Sequence, residues 1–564
     1  MSHVKRDMTQ EQREIFAYRP FGLVITAPAG CGKTEVLAYR AKGLLERYDF
    51  TGNGRKLLIV TFTNQARDNI NERLNQYISV QTLRRRVVVC NFHGLAARII
   101  KAHNNVIGLE GWTVADFDWV GKYVRSLKCD KKTKDQVNFV LRKIKLESLT
   151  DDEVMTKIQS VSEPVGKYVK SIEVARIKDK IITYDDQIRT ALWILQSERV
   201  SQLYRNHFFS ALVDEFQDLT HQQLQLVQAL CGGNVTYAGD LAQGIYSFAG
   251  ADAGFTFREI TGKGTKQIKL LKSFRSAPAV LNAVNSLSPL TGSEKLVAAF
   301  PEHWGDGGLF AFVPFKGEKT ESEWVSQTCE SILRRCPTHR VGIITRTAFR
   351  AQSIKQTFES RGIEYIDWGD GLFGAKTVGV LQGVCDSLPD ELPTKMSDCW
   401  SLIKQNAIAI QGAPSEELED ACGWLFNQLM QHGRSQLPDI KKRLNRQKGK
   451  TIVTNGGIHC LTGHAGKGQQ FDWVFILGLE QGTLPFYKAI SPEEVQEEAR
   501  VLSVMISRAK IGVITTFASV DSFGHVRNVS EFLQYLQTVS GFLCGKKQVD
   551  SWCTEANWMT IAQM

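Results

Sequence analysis

The chain has 564 residues, 43% hydrophobic and 23% charged, with a formal net charge of +10. That length exceeds what one hydrophobic core holds and implies about three or four domains, and the balance of residues excludes a disordered or fibrous chain. No apolar run is long enough for a membrane span, and Met1-Ser2-His3-Val4-Lys5-Arg6-Asp7 leads into no apolar segment, so a cytoplasmic protein with neither signal peptide nor membrane partner is expected.

The twelve cysteines are scattered, without a Cys-x-x-Cys pair, and read as reduced thiols. The positive charge suits a polyanionic partner, because each neutralised phosphate releases counterions.

Taken in chain order, Phe21-Gly22-Leu23-Val24-Ile25-Thr26 predicts a short buried strand, and Ala27-Pro28-Ala29-Gly30-Cys31-Gly32-Lys33-Thr34 follows it as a glycine-rich loop that opens a helix. This is the phosphate cradle of a P-loop NTPase. Backbone N–H groups of Ala29, Gly30, Cys31 and Gly32 face the phosphates, Lys33 reaches the β- and γ-phosphates, and the Thr34 hydroxyl holds Mg²⁺. The stretch 94–180 is helical and charge-rich, carries no chemistry, and reads as an insertion. Ser210-Ala211-Leu212-Val213 is a second strand, ending in Asp214-Glu215. Asp214 is placed to hold the metal and Glu215 to polarise the attacking water. A third strand, Val235-Thr236-Tyr237-Ala238, leads to Gly239-Asp240 and to Gln243, a candidate γ-phosphate sensor. Strands alternating with helices predict an α/β fold with parallel sheets and ligand at the strands' C-terminal ends.

Further on, Val341–Arg346 and Trp473–Leu477 fit a second parallel sheet. Residues 376–450 read as a second insertion, with Ser415 capping a helix, Leu418, Cys422, Leu425 and Leu429 on one stripe, and Gly433 ending it. Phe62, Phe92, Tyr246 and Phe248 lie just beyond strand ends among Thr63, Asn64 and His93. Each ring either packs into the core or stacks on a base, which is worth about 1–3 kcal/mol per base and tolerates any sequence. Tyr246 reads as core. Trp552 and Trp558 in the tail either dock a partner or pack on the second sheet.

These segments together resemble the superfamily 1 helicases of the UvrD/Rep/PcrA type, from about residue 8 to residue 515. Met8-Thr9-Gln10-Glu11-Gln12-Arg13 is similar to the adenine-reading segment, with Gln12 in the base-recognising place. Val60-Thr61-Phe62-Thr63-Asn64 and Asn91-Phe92-His93-Gly94 resemble DNA-contacting motifs, and Asp214-Glu215-Phe216-Gln217-Asp218 the metal motif. Ser273-Phe274-Arg275-Ser276 matches an adenine-stacking aromatic followed by an arginine finger. Thr462-Gly463-His464 through Gly468-Gln469-Gln470 matches a second-domain motif with DNA and ribose contacts. Glu497-Glu498-Ala499-Arg500 through Arg508 matches the motif whose Arg508 is the second finger.

The resemblance implies two RecA-like P-loop parallel-sheet motor domains with two mainly helical inserted subdomains. The first motor domain spans 1–93 and 181–265, interrupted by 94–180. The second spans 266–375 and 451–540, interrupted by a reduced insertion at 376–450, with a tail at 541–564. It further implies ATP and Mg²⁺ as cofactors, single-stranded and partial-duplex DNA as partners, and fingers Arg275 and Arg508 that act when the domains close.

Some positions depart from the family pattern. Glu35 stands where arginine is usual, Gln470 for a ribose-contacting glutamate, Phe248-Ala249 for tryptophan and arginine, and Ser503 for tyrosine. They touch base recognition and coupling to DNA, and leave the phosphate chemistry intact. The function expected is an ATP-dependent translocase moving 3′→5′ and unwinding duplex. The alternative, favoured by the reduced insertion and the coupling-motif changes, is a nucleic-acid-gated ATPase switch or sensor subunit of a nuclease or defence complex, without processive unwinding; the compact layout also resembles the helicase subunit of anti-phage systems such as Gabija.

Overall fold

The computed structural model describes residues 8–563 apart from 49–53, 63, 116–118, 246–249, 263, 306, 369–374, 390–391, 394–395, most of 412–455, 464–468 and 523. The chain divides into two compact units, residues 1–273 and 274–564.

In the first unit, six strands form one sheet: β1 Leu23–Thr26, β2 Lys56–Thr61, β3 Val87–Asn91, β4 Phe208–Asp214, β5 Val235–Gly239 and β6 Lys266–Lys269. Their order is β3-β2-β4-β5-β1-β6, and every pairing is parallel. Apolar runs such as Leu23-Val24-Ile25 are buried on both faces, as parallel sheets covered by helices require. The sequence assigns residues 266 onward to the second motor domain. Instead Lys266-Gln267-Ile268-Lys269 pairs with β1, and only Ile268 is buried. A lysine-flanked strand of this kind is an edge strand, and its polar character hides it in the sequence.

Helices α1 Gln10–Ala17, α2 Lys33–Arg47, α3 Asn64–Tyr77, α4 Phe92–His103, α5 Lys131–Lys145, α6 Val165–Lys178 and α7 Asp186–Leu195 follow in chain order. The sequence opens the first insertion at residue 94, yet α4 buries Leu95, Ala96, Ile99 and Ile100 in the same core as Ile188, Ala191 and Ile194 of α7. The insertion therefore begins after α4. It has its own core of Val124, Val137, Leu141, Ile144, Val154, Ile158, Val169 and Ile172.

A buried ionic cluster joins this insertion to α7. Lys145 Nζ lies 2.6 Å from both Glu173 and Asp186, Arg189 lies 2.6 Å from Asp186, and Asp151 pairs with Arg176 and Arg189 at 2.8 and 2.7 Å. Burial opposes the charge on Asp186, but Lys145, Arg189 and Arg176 around it hold its carboxyl well below the usual range.

The second unit carries a seven-stranded parallel sheet of β7 Leu309–Phe315, β8 Arg340–Thr345, β9 Tyr365–Asp367, β10 Gly457–Thr462, β11 Phe471–Leu477, β12 Ala509–Ala518 and β13 Leu543–Cys544, in the order β9-β10-β8-β11-β12-β7-β13. All seven residues of β11 are buried. Trp552 and Trp558 pack against Trp473 with ring centroids 5.9 and 5.7 Å away, so the tail closes this core.

Helices at Ala375–Ser387 and Met396–Gln411 form a separate small core, in which Cys422, Leu425 and Leu429 are buried. Ser415, Leu418 and Gly433 lie outside the described residues. Among the described residues no helix is long and apolar enough to cross a membrane.

Candidate nucleotide and nucleic-acid sites

The chain leaves β1 with Ala27 N–H donating to Gly239 O (2.8 Å), which sets the loop beside the end of β5. Gly30 and Gly32 take φ of 83° and 81°, in the left-handed region where an L side chain costs about 1–2 kcal/mol. Gly32 caps α2 without a side chain, so the N–H groups of its first turn, Lys33-Thr34-Glu35, are placed to meet an anion. Thr34 is half-buried in that turn.

Lys33 Nζ lies 3.4 Å from Asp214 Oδ1 and pairs directly with Glu215. Burial would lower the Lys33 pKa, but Asp214 and Glu215 outweigh it and hold the ammonium above the ordinary lysine value. Asp214, at the end of β4, is pushed up by burial and by the charge of Glu215, against the pull of Lys33. Asp240 is likewise pushed up, chiefly by burial. Among the described residues Lys33 thus faces the carboxylates of Asp214, Glu215 and Asp240. That grouping of carboxylates fits a divalent cation, and the open helix N-terminus fits phosphates.

Mg²⁺ is commonly held by one or two carboxylates together with substrate phosphates. Among the described residues no group of three or more His, Cys, Asp or Glu is placed to hold a metal by itself.

Glu215 itself has φ 56° and ψ 52°, a strained conformation for a non-glycine residue. Gln243 Nε2 donates to Asp240 Oδ2 at 2.9 Å. Cys31 is buried within the loop, and its N–H donates to Pro28 O.

Gln12 and Thr9 cap α1 reciprocally. Thr9 N–H donates to Gln12 Oε1 at 2.9 Å, and Gln12 Nε2 faces the loop, 4.0 Å from where a Cβ on Gly32 would sit. Glu35 accepts from the Tyr77 hydroxyl and pairs with Arg73 at 3.1 Å, both on α3. The acidic departure from the family pattern is therefore neutralised, and it ties the nucleotide helix to α3.

Among the residues expected to touch a nucleic acid, Phe62 is half-buried beyond β2, and Asn64 opens α3. Thr63 and Phe248 lie outside the described residues. Phe92 requires a correction. It is 1% exposed and belongs to the first core, so its ring is packing and cannot stack on a base. His93 stacks on Tyr184 with centroids 3.8 Å apart, and its Nδ1 lies 3.0 Å from the Tyr184 hydroxyl. Burial lowers its pKa to about 4, so it offers no cation to a phosphate at neutral pH. Asn91 caps α4, accepting from Gly94 N–H at 2.7 Å.

Comparison with known proteins bears on both units. Residues 8–260 match the UvrD/REP helicase N-terminal domain, and residues 425–519 match the UvrD-like helicase C-terminal domain. The chain belongs to the UvrD/Rep helicase family. It is 23% identical to the ATP-dependent DNA helicase PcrA of Staphylococcus epidermidis, across 90% of this chain and 83% of that protein. It is 24% identical to the ATP-dependent DNA helicase UvrD2 of Mycobacterium tuberculosis, across 93% and 81%. PcrA of Staphylococcus aureus is 22% identical, across 92% and 84%.

In the UvrD-type second unit, Phe274 is half-buried with its ring 6.0 Å from Phe300. Ser276 Oγ donates to Ala509 O and Ala277 N–H to Lys510 O, both at 2.8 Å. The segment after Arg275 is thereby fastened to the one after Arg508. Arg508 is 3% exposed; its Nε donates to Val504 O at 2.9 Å and its Nη2 to Ser507 Oγ at 3.0 Å. Thr462 ends β10 and Gln470 is exposed, while His464 and Gly468 lie outside the described residues.

Two arrangements here escape the sequence. Glu498 receives Arg346 (Nη2 to Oε1, 2.7 Å) and the N–H of Phe486 (3.1 Å). Arg350 is buried between Glu321 and Glu480 at 2.6 and 2.8 Å. Only the place of Glu498 inside the last motif hinted at a role.

Proposed function

We propose that this chain is an ATP-dependent DNA translocase and helicase, in which single-stranded DNA stimulates hydrolysis and movement runs 3′→5′. One observation carries the reading: Lys33, at the mouth of an open helix N-terminus, is held against Asp214 and Glu215 at the end of β4, the next strand but one from β1 in the same sheet. Family membership supports the DNA substrate, and the direction rests on the resemblance.

In this scheme, ATP supplies the phosphoanhydride to be cleaved and Mg²⁺ the charge that neutralises it. Ala29, Gly30 and Gly32 present main-chain N–H groups to the phosphates, Cys31, whose own N–H is taken by Pro28 O, shapes the loop between them, and Lys33 exchanges its carboxylate partners for phosphate oxygens. Thr34 and Asp214 hold the ion. Glu215 orients the attacking water and takes its proton at a carboxylate oxygen. Gln243 reads the γ-phosphate side, while Gln12, Phe274, Gly468 and Gln470 hold the base and sugar.

Arg275 and Arg508 act as arginine fingers, which are worth about 10³- to 10⁵-fold in rate in related chemistry. A guanidinium cannot deprotonate at working pH. The resemblance assigns the track of contacts with the DNA strand to Phe62, Thr63, Asn64, Phe248, Thr462 and His464.

A second reading, a nucleic-acid-gated switch beside a nuclease in a defence complex, is favoured by one observation. Phe92 is core and His93 is neutral under Tyr184, so the track is shorter than the family motifs imply. The test is ATP turnover by the purified chain with single-stranded DNA, duplex DNA and RNA across a salt series. Stimulation by single strands that weakens with salt supports the proposal; a rate indifferent to every nucleic acid removes both readings.

A further inference from the structure

We propose that Gln217 is a positioning residue for hydrolysis, a hydrogen-bonded link that holds the Glu215 carboxylate to the end of β5. This rests on the reading of Glu215 as the group that activates water.

Gln217 is 0% exposed. Its Nε2 donates to Glu215 Oε2, and its Oε1 accepts the N–H of Asp240 at 3.0 Å. A main-chain N–H can only donate and an ionised carboxylate can only accept, so the orientation of this amide is dictated by its partners. Asp240 then accepts Ala242 N–H on Oδ1 (3.1 Å) and Gln243 Nε2 on Oδ2. The result is an unbroken chain, Glu215–Gln217–Asp240–Gln243, between the ends of β4 and β5.

The neighbouring backbone is shaped around this amide. A Cβ on Gly239 would collide with Gln217 Oε1 and lie 2.6 Å from the Phe216 ring, so glycine is required where the side chain crosses. The two oxygens of Glu215 are divided between partners: Oε1 faces Lys33 and Oε2 faces Gln217. When phosphate draws Lys33 away, Gln217 remains as the fixed donor that keeps the carboxylate aimed. Any shift of Gln243 on phosphate contact is passed to Glu215 through the three hydrogen bonds of this chain. Glutamine alone supplies both a donor and an acceptor at this length. Glutamate keeps the acceptor for Asp240 but loses the donor for Glu215, and methionine keeps the volume but loses both.

The experiment compares wild type, Gln217→Glu and Gln217→Met in the full chain. It measures DNA-stimulated kcat, equilibrium ATP affinity, the unfolding midpoint, and amide exchange at Asp240 without nucleotide. Removing an orienting hydrogen-bond partner of a reacting group typically costs about 10- to 100-fold. Both variants are therefore expected to lose about that much kcat with ATP affinity nearly unchanged, and only Gln217→Met should speed exchange at Asp240. Wild-type kcat in both variants overturns the proposal. So does a parallel fall of kcat, ATP affinity and unfolding midpoint, which marks a packing role. A wild-type chain without ATP turnover overturns the functional reading itself, a result visible before any variant is compared.

Discussion

Lys33→Met removes one charge while keeping most of the buried side-chain volume, and its effect can be worked from the site. Lys33 pairs with Asp214 and Glu215 in this structure; in the working site it grips phosphate. Two charge-assisted hydrogen bonds to phosphate oxygens, at about 1.5–3 kcal/mol each, put the loss at about 3–6 kcal/mol, or roughly 10²- to 10⁴-fold in kcat/KM. The assay is steady-state phosphate release at saturating single-stranded DNA, with DNA affinity in the absence of nucleotide as the control for folding. The expected pattern is collapsed turnover beside nearly normal DNA binding. Turnover within a few-fold of wild type would refute the assignment of the loop, because no other described lysine pairs with Asp214 or Glu215.

Other consequences follow from the same structure. Burial raises the pKa of Asp240, so the folded state binds that proton more tightly than the unfolded chain, and the ionised carboxylate costs stability above the folded pKa. Asp240→Asn should therefore unfold at higher denaturant than wild type at pH 7.5, with the gap shrinking as pH falls towards the ordinary carboxylate range, about 4. A wild type more stable at pH 7.5 would contradict this. Lys145→Met breaks the ionic cluster beneath the first insertion and should cost about 3–5 kcal/mol in denaturant unfolding; an unchanged midpoint would show the cluster to be energetically idle. Phe62→Ala should weaken single-strand binding by about 1–3 kcal/mol, read by fluorescence anisotropy, while leaving ATP affinity alone; unchanged strand affinity would place the ring in the core.

Local, contiguous signals were legible in the sequence. The apolar strand before Gly30-Cys31-Gly32-Lys33 and the strand ending at Asp214 both declare themselves within ten residues, and the structure sets Lys33 against that carboxylate. What escaped depends on distant partners. The stripe Leu95, Ala96, Ile99, Ile100 is an equally good face for an insertion helix or a core helix, and α7, some ninety residues later, decides between them. Phe92 sits in a motif that invites a DNA role, yet the same ring fills the first core. Gln217 looks like one letter of a metal motif, and its link to Asp240 spans 23 residues. The edge strand at 266–269 carries too little apolar character to announce itself.

The central claim is that ATP turnover by this chain becomes movement along a DNA strand. The most direct measurement follows displacement of a labelled strand from a duplex with a 3′ single-stranded tail, with ATP, with a non-hydrolysable analogue, and for Glu215→Gln. The account predicts displacement by the wild type with ATP only, and none from a 5′-tailed duplex. Brisk DNA-stimulated hydrolysis with no displacement on either tail would contradict the motor and leave the switch.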